Sequence, residues 1–183
     1  MNVCRTIRAG KKKRLNGLAQ TGYCASLKMY FHGIREHLIF TPGGMLAGLV
    51  QLPGNRHDVN GVYALLKTAF KGTLIGDSAY QPNPTERAKL NHQGIRVHAI
   101  PKSNATLPLA PVLINWLKER RTPIERRIGL FDRQFHAGRT LNRTERHYRA
   151  RRFAKALAHN ISRHINVTND WPQERVAYFR YAA

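Results

Sequence analysis

The sequence predicts an α/β domain with a mixed sheet. Short stretches rich in β-branched and aromatic residues alternate with stretches of helical periodicity, and turn residues punctuate both. The chain has 183 residues, 42% of them apolar, which is enough for a single domain with a sizeable core. No internal repeat or extended low-complexity segment interrupts it.

Residues 30–40, YFHGIREHLIF, read as a strand. The turn TPGG follows, with Pro42 pre-setting φ and glycine free to adopt positive φ. Residues 45–52 form a second strand, so the pair reads as an antiparallel hairpin closed by Pro53, Gly54 and Asn55. Val59, Val62, Tyr63, Leu65, Leu66, Ala69 and Phe70 recur at helical spacing, and Gly72 ends that helix. Residues 73–76 are a short buried strand with Asp77 at its carboxyl end.

Asn83, Pro84 and Glu86 supply the N-cap, N1 proline and N3 carboxylate of the next helix, and Gly94 stops it. Residues 95–100, IRVHAI, alternate as a strand, and 101–110 are loop. Residues 112–120 are helical, with a break at Pro123. A second helix, with Ile124, Ile128, Phe131 and Phe135 on one face, runs to Ala137 before Gly138. A last helix over 143–165 is expected to bury Ala150, Phe153, Leu157, Ile161 and Ile165 and to turn a basic face outward.

Charge narrows the function. Thirty-one Lys and Arg face ten Asp and Glu, a net charge of +21. Such a surface calls for a polyanion, and nucleic acid is the default partner ahead of an anionic membrane surface. No apolar stretch is long enough to span a bilayer, and the basic start lacks a secretory h-region. Two cysteines, Cys4 and Cys24, cannot make a paired-Cys zinc site and read as reduced thiols of a cytosolic protein.

Asp77 is one of only four aspartates. In α/β sheets, ligand-binding groups gather beyond the carboxyl ends of strands, where a carboxylate can bind Mg²⁺. The competing reading is that Asp77 merely caps the turn at Ser78. Glu125 is similarly double. Thr122-Pro123-Ile124-Glu125 has the form of a capping box, yet Glu125 also sits at the rim of the Ile124/Ile128 stripe.

Five segments, in order, resemble insertion-sequence transposases with a DDE (Asp-Asp-Glu) catalytic domain. GDSAY resembles the second-aspartate motif, YFHGIREHLIF a Tyr/Phe-x-Gly-x-Lys-x-His-Leu strand, and LPGNRHD a Pro-Gly-Asn-x-x-Asp turn. RTPIERRIG resembles the segment that carries the catalytic glutamate, and RARRFAKALAHNISRHIN the closing helix. The resemblance covers about residues 4–167, leaving 168–183 as a tail. It implies a ribonuclease-H-like mixed sheet flanked by helices, with Asp77 and Glu125 as catalytic metal ligands. Mg²⁺, or Mn²⁺ in its place, is the implied cofactor for phosphodiester cleavage and strand transfer. Implied partners are double-stranded DNA, the element's terminal repeats and, at full length, further copies of the chain in the bacterial cytosol. On this reading we favour the catalytic role for both carboxylates.

One carboxylate of the family pattern is absent. Val3-Cys4 resembles a pair that follows the first catalytic Asp, whose place falls before Met1, and no Asp or Glu precedes Glu36. The central first strand is therefore expected to be missing, as in an N-terminally truncated transposase, a split frame or a misassigned start. Asp58 is a tempting substitute but lies in a turn, and we read it as the N-cap of the helix at Val59. Asp132 occupies a place where many relatives carry Lys or Arg, with Arg133 beside it as the phosphate contact.

Between Arg139 and Arg163 there are eight Lys and Arg against one acid, Glu145. We expect a DNA-binding ridge there of Arg149, Arg152 and Lys155, joined by Arg121, Arg126 and Arg133 around the glutamate. Two functions compete: a DDE transposase, and a catalytically inactive fragment that binds DNA or inhibits a full-length enzyme. A ribosomal-type RNA-binding protein accounts for the charge but not for the ordered motifs.

Overall fold

The computed structural model describes residues 2–6, 15, 18–25, 27–66, 71–101, 109–137, 142 and 144–175. Sequence expectations on Ala69 and Phe70, on Gly138 and on the loop 102–108 lie outside them. Among the described residues, six strands and four α-helices follow in the order β1 (Asn2–Thr6), β2 (Gln20–Cys24), β3 (Met29–Phe40), β4 (Leu46–Pro53), α1 (Val59–Leu66), β5 (Gly72–Gly76), α2 (Pro84–His92), β6 (Ile95–Ala99), α3 (Pro111–Gln134) and α4 (Glu145–Thr168). A 3₁₀ turn at Ser78–Tyr80 follows β5. The α/β expectation holds.

β3 organises the larger sheet. β4 pairs antiparallel with it from Ile34 to Phe40, so the expected hairpin is present. β2 pairs with Met29 to Gly33, and β1 with Gly33 to His37. Gly33 is opposite both Thr6 and Gln20, while Ile34 is opposite both Arg5 and Pro53. β1 therefore lies along one edge of β3, and β2 and β4 follow end to end along the other. Gly54 sits at that junction, its N–H donating to the Gly33 carbonyl, and a Cβ on it would stand 2.3 Å from the Gln20 carbonyl oxygen. Only glycine allows so close an approach.

The expectation of a sheet without its first strand is corrected over part of its length. β1 covers β3 as far as His37, and Leu38 to Phe40 have no strand on that side among the described residues. β5 and β6 form a separate two-stranded parallel sheet. Between the two sheets runs an apolar slot of about 50 Å³, lined by Leu38, Ile39, Leu74, Ile75 and Tyr80.

The core divides accordingly. Ile34 packs with Leu15, Leu18 and Tyr148; Leu38 and Leu46 pack with Ile128, Phe131 and Ala137; Val62, Tyr80, Leu90, Ile95 and Val97 fill the space beneath the small sheet. The capping box predicted at Asn83 and Glu86 is formed, both reciprocal hydrogen bonds included.

Two helical expectations are corrected. α3 does not break: Pro123 lies inside one helix of 24 residues. Thr122 Oγ1 donates to the Lys118 carbonyl four residues back, so Thr122 is a helix-interior residue and not a cap. The carbonyl that Pro123 deprives of its donor belongs to Glu119, which is exposed, so water can satisfy it.

The second correction concerns α4. Its buried side chains are Tyr148, Arg152, His159, Arg163 and Asn166, whereas Phe153, Leu157 and Ile161 are 53%, 61% and 48% exposed. The helix is inverted relative to the expected amphipathicity. Most of its inward polar groups meet specific partners, while Arg152 Nε and Asn166 Oδ1 are buried without a hydrogen bond among the described residues. Arg152 pairs with Glu36 and donates to the Ala137 carbonyl, while Asn160 exchanges two hydrogen bonds with the backbone of Leu46. Arg163 donates to the carbonyl of Gly43, and His159 Nε2 stands 3.1 Å from the Gly44 carbonyl. His159 also meets the rings of Phe40, Phe131 and Phe135 edge-on. Its burial lowers the imidazole pKa.

Candidate active site

Asp77 stands directly beyond the carboxyl end of β5, as the apolar run requires once Gly76 closes the strand. Its Oδ1 accepts a hydrogen bond from Ala79 N–H at 2.9 Å, so it does cap the 3₁₀ turn. The cap uses one oxygen. Oδ2 has no hydrogen-bond partner among the described residues. The capping and binding readings are thus compatible at this residue.

Glu125 lies on α3, one position from Ile124, which packs on the Leu38/Phe131 cluster. Its side chain is 46% exposed, and its Oε1 is 2.8 Å from Arg121 Nη2, an i,i+4 pair on the helix surface. The capping-box reading of Glu125 fails, because Thr122 is inside the helix. α3 packs directly against β5, so the two carboxylates sit on elements that touch. No group of three or more His, Cys, Asp or Glu side chains able to hold a metal ion occurs among the described residues. Mg²⁺ takes one or two protein carboxylates and completes a near-octahedral shell with water and substrate oxygens, so Asp77 and Glu125 are of the chemistry that would hold one.

Asp58 is elsewhere engaged. Its Oδ1 is 2.9 Å from Arg35 Nη1, with both side chains largely buried, and its carbonyl accepts from Gly61 N–H at the start of α1. Arg35 also donates to the carbonyls of Tyr23 and Gly54, so Asp58 belongs to a structural tie between β2, β3 and the turn after β4. Glu36 is fully buried and receives the Tyr148 hydroxyl and the Arg152 guanidinium. Glu36 is not offered to solvent as a third ligand, and Asp58 is engaged by Arg35.

The expected basic ridge is corrected at Arg152, which is 2% exposed and ion-paired with Glu36. Arg149 is half-exposed and bonded to Glu145 and Gln51, and Lys155 donates to the His136 carbonyl. Arg121 is held by Glu125. Arg126 and Arg133 on α3, with Arg146 and Arg151 on α4, are exposed and make no ion pair among the described residues. Sequence reasoning missed the last two because it assigned the outward face of α4 by the wrong side of the helix. Trp116 is 38% exposed, with the Arg120 guanidinium over its ring.

No described helix is long and apolar enough to cross a membrane. Residues 1–134 match the sequence model of the transposase DDE domain family. No curated protein and no solved structure matches the chain.

Proposed function

The chain belongs to the transposase DDE domain family, and we propose that its reaction is cation-dependent cleavage and strand transfer of DNA phosphodiesters, with Asp77 and Glu125 as two of its catalytic carboxylates. The observation that carries this reading is the packing of α3, which bears Glu125, against β5, whose carboxyl end presents Asp77. The domain on this reading extends to about residue 167. Its substrate is duplex DNA at the element's terminal repeats, its cofactor Mg²⁺ or Mn²⁺, and its setting a homo-oligomer in the bacterial cytosol.

The resemblance implies a third carboxylate on a strand ahead of Val3-Cys4, and Glu36, the first acid of these 183 residues, is buried in an ion pair. A strand continuing β1 upstream in the same register would run beside Leu38, Ile39 and Phe40, along the apolar slot next to β5. A carboxylate on that strand completes the set and turns a ribonuclease-H-like sheet from two pieces into one. The same facts favour a second reading for the 183-residue chain alone: a DNA-binding fragment without strand-transfer activity.

The deciding experiment compares cleavage of terminal-repeat duplex, with and without Mg²⁺, by the 183-residue chain and by a chain extended upstream through an aspartate. Cleavage by the extended chain only, lost in Asp77→Asn, supports both statements. Cleavage by the extended chain that persists in Asp77→Asn overturns the assignment.

A further inference from the structure

A cleft of about 1130 Å³ opens beside Asp77. It is bounded by the turn before α1, the 3₁₀ turn at Ser78–Tyr80, one side of α2, the end of β6 and the first half of α3. Ser78 and Ala79, the residues that Asp77 caps, line it directly. The volume lies above the roughly 300–1,000 Å³ of clefts that hold single small organic ligands.

Its walls have two characters. Pro101, Leu109 and Leu113 give apolar surface, with the buried Pro82 and Leu117 behind it. His57, Arg87 and His98 are exposed donors in the lining, and Asn91 offers an amide. Asp58, the one acid in the lining, is neutralised by Arg35. Apolar walls are of no use to a duplex, which hides its base faces in the stack and offers phosphate oxygens to a protein surface. They suit bases taken out of the stack, which lie against apolar side chains while phosphates meet cations and donors.

We propose that this cleft receives an unpaired segment of the DNA strand engaged at Asp77, of more than one nucleotide, with its bases on the proline and leucine walls. The proposal rests on the DNA-processing reading above and adds its substrate class: DNA with an unpaired end or a locally opened strand. Arg87, with His57 and His98, contacts the phosphates of that segment, and the Asn91 amide is placed to meet a base edge.

The test is fluorescence anisotropy on the 183-residue chain, comparing a blunt duplex with the same duplex carrying a four-nucleotide single-stranded tail. The tailed duplex should bind about tenfold more tightly. The ratio of the two affinities should fall to about one in Ala88→Trp, which fills the cleft from the exposed face of α2, and in Leu113→Glu, which puts a like charge against the phosphates. Taking the ratio within each variant cancels any change in duplex affinity. Equal binding of tailed and blunt DNA by the unaltered chain overturns the cleft assignment and leaves the family reading standing. A tail advantage that survives both variants overturns it too, by placing the tail elsewhere. Absence of binding to either DNA removes the underlying reading and the cleft with it.

Discussion

Arg152 Nη2 stands 2.5 Å from Glu36 Oε2, and neither residue is more than 2% exposed. The pair joins the last helix to the central strand of the larger sheet, with the Tyr148 hydroxyl on the other carboxylate oxygen at 2.8 Å. A buried pair of this kind is weak evidence for stability in itself, but breaking it leaves one charge without a partner. Arg152→Met should therefore destabilise the fold by about 3–5 kcal/mol. The double variant Arg152→Met/Glu36→Leu should recover a large part of that loss. Urea unfolding of the two variants measures both; a double variant no more stable than the single one contradicts the account.

The inversion of α4 makes an opposite prediction for residues that look like core. Phe153→Ser and Leu157→Ser should each change stability by no more than about 0.5–1 kcal/mol, in the range of surface substitutions. A buried Phe or Leu at those positions would cost several times more. Thermal melts of the two variants separate the alternatives. Reduced dye binding to exposed apolar surface should accompany them.

That helix also shows where sequence reasoning stops. Tyr148, Arg152, His159, Arg163 and Asn166 recur at helical spacing as regularly as Phe153, Leu157 and Ile161 do, so periodicity identified the helix but could not choose its inward face. The choice is made by distant acceptors: Glu36, the Ala137 carbonyl and the carbonyls of Gly43 and Gly44. Local signals fared better. The β3–β4 turn, the Asn83 cap and the strand ending at Asp77 were all legible, because each is decided within a few residues. β1 and β2 were not, since short edge strands owe their pairing to β3. At Pro123 the local rule misled, because Glu119, whose carbonyl loses its donor, is exposed, where water lowers the cost of proline inside a helix.

His37 gives the fold an acid-sensitive element. It is fully buried, its Nδ1 lies 2.9 Å from the Tyr80 hydroxyl, and its Nε2 has no hydrogen-bond partner among the described residues. Burial, reinforced by the chain's amino terminus and Arg35, lowers its pKa to about 3. The unfolded chain takes up this proton near pH 6.5 and the folded chain only near pH 3, so the stability in question is present above about 6.5 and lost as pH falls toward 3. The loss approaches 1.4 kcal/mol per pH unit, roughly, within that window. His37→Gln should flatten the dependence of unfolding free energy on pH between 6.5 and 4 relative to the unaltered chain. An unchanged slope would show that the imidazole titrates normally.

DNA affinity should follow the exposed arginines. Replacing Arg126 and Arg133 with Ala should weaken duplex binding and reduce the slope of log K against log salt by about one for each lost phosphate contact. Arg152→Lys, at a buried position, should leave the slope unchanged in protein that remains folded. If the slope falls for Arg152 and not for the α3 pair, the interface lies on the other side of α4.

The three candidate acids should separate in a cleavage assay, because their surroundings differ. Asp77 keeps one oxygen free at the end of β5, and Glu125 is exposed on the helix that touches that strand. Asp58 is tied to Arg35, which holds the backbone carbonyls of Tyr23 and Gly54. In a chain extended upstream through an aspartate, Asp77→Asn and Glu125→Gln should each abolish Mg²⁺-dependent nicking of terminal-repeat DNA while duplex binding persists. Asp58→Asn should lower the melting temperature and leave the nicking rate of the folded protein largely intact. The 183-residue chain itself should show no strand transfer, and any slight nicking with Mg²⁺ or Mn²⁺ should vanish in Asp77→Asn. The informative contrast is between stability and chemistry: Asp58 should register in the first and the other two in the second. Should Asp58→Asn eliminate nicking in protein that melts normally and still binds DNA, Asp58 is a catalytic ligand and its tie to Arg35 is broken in the working enzyme.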